Sequence, residues 1–278
     1  MVAILLSGLS RRALLGRLAV LCTPFRAVAN SAPAPADLLA ERKPELTLPP
    51  LAEGWRRLYL CRHGETDWNA QSRIQGATDV ELNAKGKRQA EKLAELLADA
   101  PIDLVLSSSL SRASATADAV AALHPSSRRL RDSRFNEMCF GSFEGQALEP
   151  GSHTRREYDK IVQRWASGDT ESAFPGTGGE SPSDVASRSM AALRDLGLFP
   201  GSDGASKPDC PRHVCLVAHG RHNKILLAAL AGNLARCSEY QQGNTCLNVI
   251  DIAATDGEAN VRLTDYRAHL QGSATDGA

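Results

Sequence analysis

Two apolar runs in this 278-residue chain end in the same dipeptide: Leu58-Tyr59-Leu60-Cys61 leads through Arg62 to His63-Gly64, and Val214 to Ala218 leads to His219-Gly220. A third run, Ile102 to Leu106, ends in Ser107-Ser108 with Arg112 close behind. Gathered at one place, two histidines and two arginines form a compact cationic pocket suited to a phosphate dianion. Arg fits this task better than Lys, because its planar fork reaches two phosphoryl oxygens and keeps its charge. Neighbouring positive charge depresses a histidine's pKa, so an imidazole held there keeps a lone pair with which to attack phosphorus. The start of the helix after Ser111 adds backbone N–H groups and a positive dipole end. Gly64 and Gly220 are expected to let the backbone approach the substrate closely.

The elements that must position these groups follow from periodicity and caps. The three apolar runs read as buried strands. Asn83 can cap a helix carried by Ala90, Leu93, Ala94, Leu96 and Leu97, which Pro101 closes. Ser111 is expected to cap a helix from Arg112 to about Leu123, with His124 as a cap at its end. A helix is expected from about Thr154 to Ser167. Ser181-Pro182-Ser183-Asp184 resembles a capping box with Pro at the first helical position, opening a helix to about Leu196. A surface loop from Pro200 to Pro211 precedes the second His-Gly strand, and a helix follows from about Asn223 to Ala231. Thr245–Ile252 and Ala259–Leu263 read as the last strands. Strands alternating with helices imply an α/β three-layer sandwich on a largely parallel central sheet, with ligands beyond the carboxyl ends of the strands.

Leu60 to Thr66, with Trp68-Asn69 and Arg73-Ile74-Gln75-Gly76, resembles the signature of the histidine phosphatase superfamily, also called phosphoglycerate-mutase-like. Ser108 to Ala113 with Thr116-Ala117 is similar to its second motif. Asn136-Glu137 with Gly141, Phe143, Glu144 and Gly145 is similar to its third, and Val217 to Gly220 to its last. The ordered set covers roughly residues 57 to 265. The resemblance implies His63 as the nucleophile that becomes phosphohistidine, with Arg62, Arg112 and His219 holding the phosphoryl oxygens. It implies Glu137 as the acid that protonates the leaving alkoxide, then the base for water, a phosphate dianion favouring its protonated form. Asn69, Gln75, Gly76 and Gly220 are the implied substrate contacts. Ser181, at a helix N-terminus, is a candidate contact and equally a plain helix cap. Gln75-Gly76, Glu144-Gly145 and Gly178-Gly179-Glu180-Ser181 look more like the phosphatase branch than the mutase branch. Arg221 departs from the smaller residue often found after His-Gly, and is a candidate for touching a second anionic group and equally a solvated surface Arg.

The expected activity is metal-independent hydrolysis of a small phosphorylated metabolite, such as a sugar phosphate, without a cofactor. Phosphoglycerate-mutase-type transfer and a non-catalytic phospholigand-binding protein are the alternatives. The latter is disfavoured because every expected catalytic residue is present. Composition, 42% hydrophobic and 23% charged, describes a globular chain. Four of its 32 basic residues and none of its 32 acidic ones fall in residues 1–36, which leaves residues 37–278 near −4. Nucleic acid is therefore not an expected partner. A membrane is not expected either, since Arg11, Arg12 and Arg17 interrupt the N-terminal apolar region. The acid-free, Arg-bearing residues 1–36 read as a presequence for a plastid or mitochondrion, removed on arrival. The rival is an export or thylakoid-lumen signal built on Arg11-Arg12. Residues 37–56 read as a linker, 57–270 as the catalytic domain and 271–278 as a flexible tail. The seven cysteines are irregularly spaced, with neither a disulfide framework nor a metal-ligand pattern. Oligomeric state is left open.

Overall fold

A computed structural model describes residues 46–200 and 210–271. Residues 1–36, read above as a presequence, most of the expected linker, most of the expected loop from Pro200 to Pro211 and the expected tail beyond residue 271 lie outside these residues, and so does the targeting expectation. Six strands form one sheet: β1 (Trp55–Arg62), β2 (Leu104–Ser107), β3 (Arg128–Arg131), β4 (His213–Ala218), β5 (Leu247–Ala253) and β6 (Ala259–Tyr266). Their order is β3-β2-β4-β1-β5-β6. β3, β2, β4 and β1 run parallel, and β5 and β6 add an antiparallel edge.

Alternation along the strands sorts the core into two layers. Leu58, Leu60, Leu106, Leu216 and Ile250 pack on one face, against Leu193 of helix α5 (Pro182–Asp195) and Leu226 and Leu227 of α6 (Gly220–Leu230). Tyr59, Cys61, Val105, Val217 and Val249 pack on the other. They meet Leu93 and Leu97 of α2 (Ala84–Leu97) and Ala113, Ala117 and Val120 of α3 (Ser111–Ala122). Cys61, Cys215, Cys237 and Cys246 are free and buried, as packing cysteines should be. Helix α4 (His153–Ala166) belongs to a third cluster, in which Phe140, Phe143, Trp165 and Phe174 pack around Ile225 of α6.

The caps carry out part of the sequence reading. Asn83 accepts from the Gly86 N–H, and Ser181 forms a reciprocal box with Asp184 behind Pro182. Other expectations shift. α3 starts at Ser111 with Leu110 at the cap position, and the Ser111 hydroxyl is bonded to Asp79 instead. His124 Nε2 lies 3.1 Å from the Leu97 carbonyl, so it serves the end of α2. α6 opens at Gly220, one residue after His219 and three earlier than expected. β1 begins inside the expected linker, at Trp55. β3 and the four-residue helix α1 (Asp67–Ala70) were not expected: Arg128 to Arg131 holds a single apolar residue, the pattern of a charged edge strand.

Candidate active site

The carboxyl ends of the parallel strands converge. β1 delivers Arg62 and His63, β4 delivers His219, and the loop after β2 opens α3 with Arg112 in its first turn. His63 and His219 lie ring to ring, with centroids 5.2 Å apart. A pocket of about 250 Å³ opens here, lined by Arg62, His63, Asn69, Gln75, Gly76, Arg112, Glu137 and Gly220. It is further bounded by Arg73, Phe140, Tyr158, Arg221, Lys224 and Gln242.

His63 is buried, and its Nδ1 lies 2.7 Å from the Gly64 carbonyl oxygen. A carbonyl only accepts, so Nδ1 carries the proton and the neutral ring keeps its lone pair on Nε2. Burial, then Arg112 and Arg62, push the His63 pKa well below the ordinary histidine value. Burial and then Arg112 do the same to His219. Its Nε2 meets Ser108 Oγ at 2.7 Å, and Ser108 is bonded in turn to Asn136 Oδ1 at 3.0 Å.

Three buried polar atoms here have no partner among the described residues: Arg62 Nε, Arg112 Nε and His219 Nδ1. Their neighbours are fixed. Arg62 Nη1 donates to the Gln242 carbonyl at 2.7 Å, and Arg112 donates to the carbonyls of Gly76 and Thr78 at 2.8 and 2.9 Å. Both guanidiniums are thus locked by backbone oxygens. The two buried guanidinium N–H groups left without an acceptor are costly, and phosphoryl oxygens would satisfy them. The Ser108 hydroxyl gives its proton to Asn136, so His219 Nε2 donates to Ser108, and Nδ1 can donate to a phosphoryl oxygen only once it takes up a proton.

Glu137 faces this cluster from the third motif. Its Oε1 accepts from the backbone N–H groups of His222 and Met138, at 2.8 and 2.9 Å, and its Oε2 from that of Arg221 at 3.1 Å. The backbone beneath it is clamped by Arg188, which donates to the carbonyls of Arg134 and Asn136 and pairs with Glu180 at 2.7 Å.

The remaining expected contacts divide. Asn69 lines the pocket with its Oδ1 occupied by Thr66 and Asn244, which leaves the amide's donor end for a ligand. Gln75 lines it too, held by the Thr66 hydroxyl. Gly76, at φ +55°, offers its carbonyl to Arg112, and a side chain there would strike Glu144. Ser181 is corrected: it is buried, its hydroxyl belongs to the box with Asp184, and it is not among the lining residues. The expectation for Gly64 is corrected as well. A Cβ on Gly64 would lie 2.3 Å from the Gly86 carbonyl oxygen of α2, and one on Gly220 would lie 3.2 Å from Arg62 Nε. Gly64 thus admits a protein neighbour rather than substrate, whereas Gly220 lines the pocket beside Arg62. Sequence reasoning gave no role to Ser108, Gln242, Tyr158 or Lys224. Ser108 was signalled by its place at a strand end, and Lys224 by lying one turn beyond His219-Gly220.

The family model of the histidine phosphatase superfamily (branch 1) matches residues 58–265, which includes every side chain of this cluster. The chain belongs to the histidine phosphatase superfamily. A Bacillus subtilis phosphatase named PhoE is 32% identical over 217 residues, 77% of this chain and 96% of that one. The glucosyl-3-phosphoglycerate phosphatase of Mycobacterium tuberculosis is 35% identical over 215 residues, 77% of this chain and 86% of the relative. A solved structure of a mycobacterial glucosyl-3-phosphoglycerate phosphatase with VO3 superposes with a TM-score of 0.61 at 31% identity, covering 76% of this chain and all of that one. With relatives named as phosphatases and the site complete, the chain is a phosphatase, a phosphoric monoester hydrolase.

Proposed function

We propose that this phosphatase hydrolyses a small phosphorylated metabolite through a phosphohistidine on His63, with its own side chains supplying the positive charge. The observation that carries the reading is the coincidence of a His63 Nε2 lone pair with three unpartnered buried nitrogens around it, on Arg62, Arg112 and His219.

In the first step Nε2 attacks phosphorus while the ester P–O bond breaks, and Glu137 gives its proton to the departing alkoxide oxygen. Arg62, Arg112 and His219 hold the phosphoryl oxygens as charge spreads over them. In the second step Glu137 takes a proton from water, the water oxygen attacks phosphorus, and the P–N bond breaks. Inorganic phosphate leaves and the neutral imidazole returns. The pocket volume of about 250 Å³ favours a metabolite-sized substrate over a macromolecular one.

The test is release of inorganic phosphate from a metabolite panel in the presence of chelator, with His63→Ala alongside. Chelator-resistant release that His63→Ala abolishes is the expected result. Activity confined to phosphoglycerate, and only with a bisphosphate primer, would move the reading to a mutase. Release lost to chelator would overturn metal independence.

A further inference from the structure

The pocket holds more positive charge than one phosphoryl group requires. Arg62, Arg73, Arg112, Arg221 and Lys224 line it, against the single carboxylate of Glu137. With His63 and His219 neutral the excess is four charges, and a phosphate dianion offsets two of them.

The surplus cations are not equivalent. Arg221 lies over the rings of Tyr158 and Trp165, 5.6 and 5.4 Å from their centroids, and is bonded to the hydroxyls of Tyr158 and Ser238. Arg73 lies over the Trp68 ring, 5.3 Å from its centroid. Lys224, one turn further along α6, is half-buried and makes no hydrogen bond or ion pair among the described residues. Burial, then Arg221 on its own helix and Arg62 of β1, lower its pKa to about 8, while Cys237 and Asp265 of β6 act weakly the other way. An ammonium withdrawn from water without a counter-ion is unfavourable, and an anion seated on it reverses that.

We infer that Lys224 receives a second anionic group of the substrate, so that the chain selects phosphomonoesters bearing a carboxylate or a second phosphate over those with an uncharged tail. This rests on the phosphatase reading above. An ammonium is a compact point charge and accepts either anion. The pocket's small volume puts that anion within a few bonds of the phosphoester.

The experiment uses matched substrates: 3-phosphoglycerate against glycerol 3-phosphate, and fructose 1,6-bisphosphate against fructose 6-phosphate. Para-nitrophenyl phosphate reports phosphatase chemistry by itself. The native chain is expected to prefer the doubly anionic member of at least one pair by about 10- to 100-fold in kcat/KM, the scale of a hydrogen bond to a charged group. The pair that shows the preference tells carboxylate from phosphate. Lys224→Met removes the preference through KM, and Lys224→Arg restores most of it. In the native chain the preference declines as pH rises through about 8, where the free Lys224 loses its proton, and in Lys224→Arg it does not. Turnover of para-nitrophenyl phosphate with no preference in either pair, or an unchanged preference in Lys224→Met, overturns the inference. Failure to turn over para-nitrophenyl phosphate overturns the phosphatase reading instead. The inference is then decided by calorimetric affinities of the same pairs for His63→Ala, where equal affinities within each pair refute it.

Discussion

Glu137 and His222 are joined at the first turn of α6: the backbone N–H of His222 donates to Glu137 Oε1 at 2.8 Å. The neighbouring N–H of Arg221 reaches Oε2 at 3.1 Å. α6 follows directly on His219, so the proposed proton carrier and the proposed phosphoryl cradle are fixed to one rigid element. A carboxylate suits this seat because both its oxygens accept. In Glu137→Gln one N–H must face an amide NH₂.

Glu137→Gln is therefore expected to lower kcat/KM for alkyl phosphates by about 10²–10⁴, the usual weight of a positioned general acid. Para-nitrophenyl phosphate, whose leaving group needs little proton assistance, should lose far less. An equal loss on both substrates would remove Glu137 from the role of acid.

Ser108→Ala deletes the hydroxyl that holds His219 Nε2 at 2.7 Å. With that ring unanchored, kcat/KM should fall about tenfold or more, the value of a hydrogen bond at a site of this kind. Inhibition by vanadate should weaken in parallel. Unchanged vanadate inhibition would show that Ser108 does not position the phosphoryl-binding histidine.

Acid should destabilise the fold ahead of its carboxylates. His63 and His219 sit well below the ordinary histidine pKa, and burial lowers that of His222 to about 3. In each case the unfolded chain binds the proton more readily than the folded one. Their contribution is fully present above the unfolded value and is lost as pH falls below it. Each should remove about 1.4 kcal/mol per pH unit below about 6. Urea midpoints measured between pH 8 and 5 check this, and a flat profile would contradict it.

Much of this site was legible in the sequence, because strand ends, caps and motif order are local signals. Arg62-His63 and His219 each end an apolar run, and the sheet brings those ends together. What was not legible depends on partners distant in the chain. Nothing near Lys224 announces that it faces Arg62, 162 residues away, without a counter-ion. Ser181 could not be divided between cap and substrate contact until its hydroxyl was seen on Asp184. The edge strand β3 escaped because a strand that is half exposed and rich in Arg lacks the apolar pattern by which strands are read.

Gly64 illustrates the same limit, since its constraint comes from α2. In Gly64→Ala the new Cβ would lie 2.3 Å from the Gly86 carbonyl oxygen, a backbone atom that cannot swing aside. The variant should lose about 1–3 kcal/mol of stability or more, as overpacked positions do. Urea unfolding of the variant measures it, and native stability would show that β1 and α2 can separate freely.

His63 is proposed to carry the phosphoryl group during turnover. The direct measurement is rapid acid-free quenching of the enzyme with ³²P-labelled substrate, followed by a test of the labelled protein for acid-labile, base-stable phosphate. Such label is expected at His63 in the native chain and none in His63→Ala. Full phosphate release without a labelled protein, or label that persists in His63→Ala, would contradict it.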